Sequence, residues 1–362
     1  MLKVKSILIR GTIEGQGIVN FDSNDQKWLW NRQKSVEKCH HNNVNFGKGR
    51  YYEEEIECDG IVPLKKVAII SPDCIRHTMY EDNMFIHLPN IMHDDALLLR
   101  AVASPAFLER GYLFARDRKT IWKRKSPFVL SYAKATDSSV SALETCSNSQ
   151  PKSCVEKTED VSETSFFKRE VRGEMKYEFS GGIDVGELGF ISVSEIHDRL
   201  SFDSDYVSSY SELLSQRLGT EVPESGFYQK EGDLYEVPEQ GILLESAQIK
   251  YLTEDILQRL ARFNLTRTVN GTARVTKLET KIVRDPLVDL YDSPEGWVKI
   301  FTSTTGFNSD VLDDFVPIKT YNKVDVTTEA MEKIASYRKK FGYEKVKKTR
   351  GKKAQAEVAK ES

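Results

Sequence analysis

The chain has 362 residues, with 52 Lys and Arg against 55 Asp and Glu, a net charge of −3, and 39% hydrophobic and 10% aromatic residues. That suffices for one elaborated domain or two modest ones around an apolar core, and it excludes a protein coated in positive charge while leaving room for a local basic groove. No apolar run approaches a membrane span and Met1-Leu2-Lys3-Val4-Lys5 lacks the core of a signal peptide, so a cytoplasmic protein without membrane contact is expected.

From the N-terminus, Lys3 to Phe21 alternates apolar and other residues around Gly11, Gly15 and Gly17, which reads as two short strands with a bend or bulge at the glycines. Asp22 to Gly60 is a polar excursion with an extended hairpin expected around Val44 to Ile56. Val67-Ala68-Ile69-Ile70 then reads as a buried strand, and Ser71-Pro72-Asp73 as the start of a helix: a cap, a proline suited to the first helical position, and an acid at the positive end of the dipole. A strand thus delivers a helix N-terminus, suited to an anion such as phosphate, with Arg76 and His77 one turn inside. A second helix is expected at Asp94–Ala103 and a strand at Arg110–Phe114. Asp137–Glu163 is rich in Ser, Thr, Glu and Lys and reads as a flexible insertion, and Ser165–Phe179 alternates around Gly173 as a hairpin would. Glu187–Val193 is a strand, Tyr206–Leu218 a helix and Gly241–Leu244 a short buried strand; Ala247–Phe263 is the most periodic helix, and Thr272–Val283 is again a strand. The order strand, helix, strands, helix, strand is that of an α+β, ferredoxin-like RNA-recognition fold with large insertions. The organisation expected is a core over 1–285, extended or flexible at 22–60 and 137–163, a C-terminal elaboration over 286–326, and a helix with a basic tail over 327–362.

The densest cationic stretch holds Arg110, Arg116, Arg118, Lys119, Lys123, Arg124 and Lys125, with Tyr112, Phe114 and Trp122 interleaved. Such cations neutralise phosphates and aromatic faces stack on bases, although a solvated loop with buried aromatics has the same composition. Phe166, Phe167, Lys168, Arg169, Arg172 and Lys176 make a second basic and aromatic group, for which core aromatics beneath an exposed face are the favoured reading when the stretch is taken alone. Cys39, Cys58, Cys74, Cys146 and Cys154 fit reduced thiols, and Cys39-His40-His41 lacks the paired spacing of a zinc site. Neither a phosphate-binding P-loop nor a nucleophile elbow is present, so no catalytic residue, cofactor or metal is assigned. The enzyme alternative is a metal-independent RNA-processing endonuclease with His77, or the His40-His41 pair, as base. A structural protein with no nucleic-acid role is the third reading.

As a set, these residues resemble the crRNA-binding backbone subunit of type I CRISPR Cascade complexes (the Cas-seven family of the RAMP superfamily), in the form found in the minimal type I-F variant. The resemblance rests on Gly15-x-Gly17-x-Val19-Asn20, Cys74-Ile75-Arg76-His77, Arg110-Gly111-Tyr112, Lys123-Arg124-x-Ser126-Pro127, Thr164-Ser165-Phe166-Phe167 with Lys176-Tyr177, Gly241-Ile242-Leu243-Leu244, Arg259-Leu260-Ala261, Arg267 and Gly271, in the family's order between Val4 and Val283. It implies a modified RNA-recognition fold and a non-catalytic subunit that stacks head to tail with copies of itself along the crRNA, with end-capping and crRNA-processing proteins as further partners. A thumb hairpin presses into the RNA and target DNA is read by pairing with the guide. RNA contacts are expected at Ser71, Arg76, His77, Arg110, Arg116, Lys123, Arg124, Phe166, Phe167, Lys168, Arg169, Lys176 and Arg267. The Asp22–Gly60 excursion departs from the family pattern, so the thumb has no assigned place, and the region beyond about Pro286 has no counterpart.

Overall fold

The computed structural model describes residues 3–20, 44–46, 49–55, 64–82, 94–115, 121–136, 141–148, 165–195, 198–231, 237–268, 271–284, 295–313, 315–317, 320–326 and 328–340. For the strand segments 16–20, 44–46, 49–55, 64–69, 141–148, 165–175 and 266–268 the backbone alone is described.

The elements that build the site are, in chain order, β1 (Ser6–Asn20), β2 (Gly49–Glu55), β3 (Leu64–Ile70), α1 (Pro72–Met79), α2 (Asp95–Val102), α3 (Pro105–Arg110), β4 (Tyr112–Ala115), β5 (Ile121–Arg124), β6 (Phe128–Leu130), β7 (Ala133–Ala135), β8 (Ser141–Asn148) and β9 (Ser165–Asp184). They continue with α4 (Val185–Gly189), β10 (Phe190–Ser194), β11 (Arg199–Leu200), α5 (Val207–Leu218), β12 (Glu224–Lys230), β13 (Glu239–Leu243), α6 (Ser246–Ala261), β14 (Gly271–Val283), β15 (Trp297–Thr302) and β16 (Tyr321–Lys323). The fold is α+β, with two main antiparallel sheets.

β1 lies at the centre of the larger sheet, flanked along most of its length by β9 and β14, both antiparallel to it. β6 and β7 pair with the other edge of β9. Strand, helices, strand, strand, helix and strand (β1, α1 to α3, β6 with β7, β9, α6, β14) therefore lie in the sheet order 4-1-3-2 of the ferredoxin-like fold. The period-2 pattern of β1 explains its placement: Ile7, Ile9 and Ile13 are fully buried among Leu98, Ile256, Leu257 and Leu260 of the helices, while Arg10 and Glu14 face outward. β3 and β2 extend the sheet beyond β7. The segment between β9 and α6 supplies most of a second sheet, β11-β10-β13-β12-β16.

Several expectations change. The N-terminal region is one strand of 15 residues, not two short ones. Its glycines serve close packing: a Cβ on Gly11 would fall 2.4 Å from the Phe179 ring, and one on Gly15 would fall 2.1 Å from the Thr272 carbonyl oxygen. Ser165–Phe179 is not a hairpin but part of one 20-residue strand, in which Arg172 pairs with Gly17 and Glu174 with the adjacent Gln16, leaving Gly173 as a bulge. Its partner on the far side is β8, which occupies part of the expected flexible insertion; 137–140 and 149–164 lie outside the described residues. Arg110 ends a helix and does not start a strand. The hairpin expected near Val44–Ile56 is present as Val44–Phe46 paired with β2.

Candidate nucleic-acid interface

β3 hands the chain directly to α1, and Ser71 is its cap: Ser71 Oγ accepts from the Cys74 N–H at 3.2 Å. Pro72 has no N–H to give, so the terminus is largely satisfied from within and contributes less to an anion than the unpaired backbone of an uncapped helix would. The attraction comes from side chains. α1, the α3–β4 corner, the β4–β5 hairpin, β10 and the turn before β11 enclose a cleft of about 1130 Å³. Ser71, Arg76, His77, Arg110, Lys123, Arg124 and Lys125 all line it. Residues some 50 apart in sequence, singled out separately, thus meet around one space.

The cations differ in their state. Arg76 Nη2 donates to Asp73 Oδ1 at 2.7 Å, one turn back on the same helix. Lys123 Nζ pairs with Asp198 Oδ2 at 2.5 Å. Both acids are more than three-quarters exposed, so both pairs are weak and open to exchange. Arg110 has no hydrogen bond or ion pair among the described residues; burial lowers its guanidinium from its ordinary value and the nearby Arg76 lowers it further, which leaves it cationic. Lys125 is exposed at the rim.

Arg124 corrects an expectation. It is 8% exposed, and its guanidinium donates to the carbonyls of Leu108 at 3.1 Å, Phe190 at 2.8 Å, Glu187 at 3.1 Å and Leu188 at 3.0 Å. It belongs to the floor, with its donors spent on the backbone. The aromatics of the same stretch are also core and not stacking platforms: Trp122 is fully buried and donates to Asp203 Oδ1 at 3.3 Å, Tyr112 donates to the Ser201 carbonyl at 3.0 Å, and Phe114 packs on Phe107 and Tyr112. The outward face of the hairpin carries Leu113, Ile121 and Lys123 instead.

On the far wall, Glu187 accepts from Lys230 Nζ at 2.8 Å and from Arg199, which also donates to Tyr321 Oη at 2.9 Å. Burial alone would raise the Glu187 carboxyl, but Arg199 and Lys230 outweigh it and hold it below its ordinary range. Arg199, Ser192 and Ser201 line the cleft without having been singled out; an isolated Arg and two serines carry no sequence signal.

The remaining expected contacts do not gather here. Lys176 is exposed on β9, 4.0 Å from Glu178, and does not line the cleft. Phe166, Phe167, Lys168 and Arg169 lie on the β9 backbone and Arg267 on a strand paired with β14, with their side chains outside the described residues; Arg116 lies outside them altogether. Among the described residues no group of acids, histidines and cysteines could hold a metal, and no helix is long and apolar enough to cross a membrane.

A family model described as "Type I-Fv CRISPR-associated protein Cas7fv-like" matches residues 3–282. No curated protein matches the chain. A solved chain from a structure titled "CRISPR RNA-guided surveillance complex, pre-nicking" is similar over 93% of this chain and 88% of its own length, at 7% identity and a TM-score of 0.31, a likeness too weak to carry an argument.

Proposed function

The chain belongs to the Type I-Fv CRISPR-associated Cas7fv-like family, and from that premise we propose that it is a non-catalytic backbone subunit that holds the crRNA of a type I Cascade complex. Copies of the chain stack head to tail along the guide, between end-capping and crRNA-processing subunits, and the guide bases pair with target DNA. The observation that carries this reading is the cleft at the start of α1, where Arg76, His77, Arg110, Lys123 and Lys125 converge from three separate elements. Cations set along a groove bind a phosphate backbone without reading its bases, which is what a subunit repeated along a guide of any sequence requires. The net charge of −3 is consistent with this, because phosphate binding depends on where the cations sit and not on their total.

The test is to purify the protein from cells carrying a matching repeat-spacer array and to sequence the RNA that accompanies it. Spacer-containing RNA in wild type, and its loss in a folded Arg110→Glu, Lys125→Glu variant, supports the reading. Protein that carries no RNA and shows no salt-dependent affinity for it rules the reading out, and repeat RNA cleaved in a manner abolished by His77→Ala rules out the non-catalytic part.

A further inference from the structure

The four carbonyls that Arg124 holds come from three separate elements. Leu108 lies in the last turn of α3, Glu187 and Leu188 lie in α4, and Phe190 opens β10. The last carbonyls of a helix lack intrahelical partners and carry the negative end of its dipole. The ends of two short helices thus converge on one buried cation, whose planar fork can serve several acceptors at fixed angles. Arg124 itself stands between Lys123 and Lys125, and Leu108 lies two residues before Arg110. One guanidinium therefore joins the end of β5, where Lys123 and Lys125 flank it, to the helix that ends in Arg110, and ties both to the corner that carries Glu187.

Resting on the RNA-binding reading above, we infer that Arg124 is a positioning residue for RNA binding: it fixes the mutual placement of Arg110, Lys123 and Lys125 and touches no phosphate itself. Its role depends on fork geometry more than on charge. A lysine there keeps the charge but, as a point donor with three N–H groups, cannot reach all four carbonyls.

The experiment measures the affinity of wild type, Arg124→Gln, Arg124→Lys, Arg110→Gln and the Arg110→Gln, Arg124→Gln double variant for a labelled single-stranded RNA of mixed sequence. It is run over a series of salt concentrations, at a temperature where thermal melts show each protein folded. Both Arg124 variants are expected to lose about ten-fold in affinity, Arg124→Lys as much as Arg124→Gln although it keeps the charge, whereas a phosphate contact made by Arg124 itself would largely survive as lysine. In the double variant the Arg124 change should cost less than it does alone, because it acts through Arg110. Rescue of affinity by Arg124→Lys, unchanged affinity in folded Arg124→Gln, or an Arg124 change that costs as much in the double variant as alone each overturns the inference. Wild type that binds no RNA overturns the functional reading as well, which keeps the two failures distinct.

Because both variants could fail to fold, wild-type protein supplies a second measurement. Arginine-specific modification by phenylglyoxal, read by peptide mass mapping with and without the RNA, should leave Arg124 unmodified in both states and should show Arg110 reactive and RNA-protected. Arg124 that reacts in the free protein and is protected by RNA overturns the inference.

Discussion

Gly111 and Arg124 meet backbone to backbone across the β4–β5 corner: a Cβ on Gly111 would fall 2.6 Å from the Arg124 carbonyl oxygen and 2.6 Å from the Ser126 nitrogen. Gly111 has φ 71°, in the left-handed region, which lets the chain leave α3 and enter β4 within one residue. Gly111→Ala is therefore expected to destabilise the fold by at least ~1 kcal/mol from the backbone conformation alone, with more from the overlap. It should also weaken RNA binding in the protein that remains folded. Denaturant melts and RNA titrations check both; an unaltered midpoint would show that the corner relaxes freely.

Arg110 and Lys125 are the cleft cations without a hydrogen bond or ion pair among the described residues. Arg110→Gln and Lys125→Gln should each lower the slope of log affinity against log salt by about 0.7, and together by about twice that, with little change in melting temperature. An unchanged slope in either variant would place the phosphate path elsewhere.

Asp73 and Asp198 occupy anion positions on Arg76 and Lys123. A phosphate has to displace them. Exposed pairs of this kind are worth at most about 1 kcal/mol, so Asp73→Asn and Asp198→Asn should each tighten RNA binding by up to about five-fold. The gain from Asp73→Asn should vanish in an Arg76→Gln background, as a double-mutant cycle would register. A gain that persists there would reflect only the change in overall charge.

Behind the cleft, Glu109 is completely buried, with Arg259 Nε 4.0 Å from its carboxyl. Arg259 is committed elsewhere, to Asp255 at 2.7 Å and Asp82 at 2.8 Å. Burial pushes the Glu109 carboxyl well above its ordinary value and the Asp255 carboxylate adds to this, against a smaller opposing effect of Arg259. The folded protein thus holds a proton that the unfolded chain releases, and stability falls as pH rises above about 4.5 towards the folded value. Glu109→Gln, which matches the neutral acid in shape, should equal wild type near the bottom of that window and exceed it at pH 8. Melts across pH decide this; parallel curves for the two proteins would count against a retained proton.

Some of this arrangement was legible in the chain. Ser71-Pro72-Asp73 announces a helix start because capping is local chemistry, and the alternation of Ile7, Ile9 and Ile13 announces a half-buried strand. The strand and helix order led to the ferredoxin-like class because few topologies satisfy it, but β6 and β7, the strands in its second place, are too short to show an alternating pattern. The role of Arg124 was not legible: a buried arginine serving carbonyls and an exposed one serving phosphate share one letter, and only the convergence of α3, α4 and β10 separates them. Gly173 was misread for a similar reason, since glycine between alternating flanks suits a turn and a bulge equally. Arg199 acquires its place through Glu187, Glu239 and Tyr321, all distant in sequence except the first.

The bulge at Gly173 divides β9 into a half held by β1 and the β6–β7 edge and a half that continues out between β8 and the end of β1. Pairing register is interrupted at that residue, so changes in the length of the outer arm need not be transmitted to the pairs that hold the core. Descendants of this chain can therefore lengthen or shorten the β8–β9 arm, and alter how far it reaches towards a neighbouring molecule, while the sheet beneath keeps its alignment.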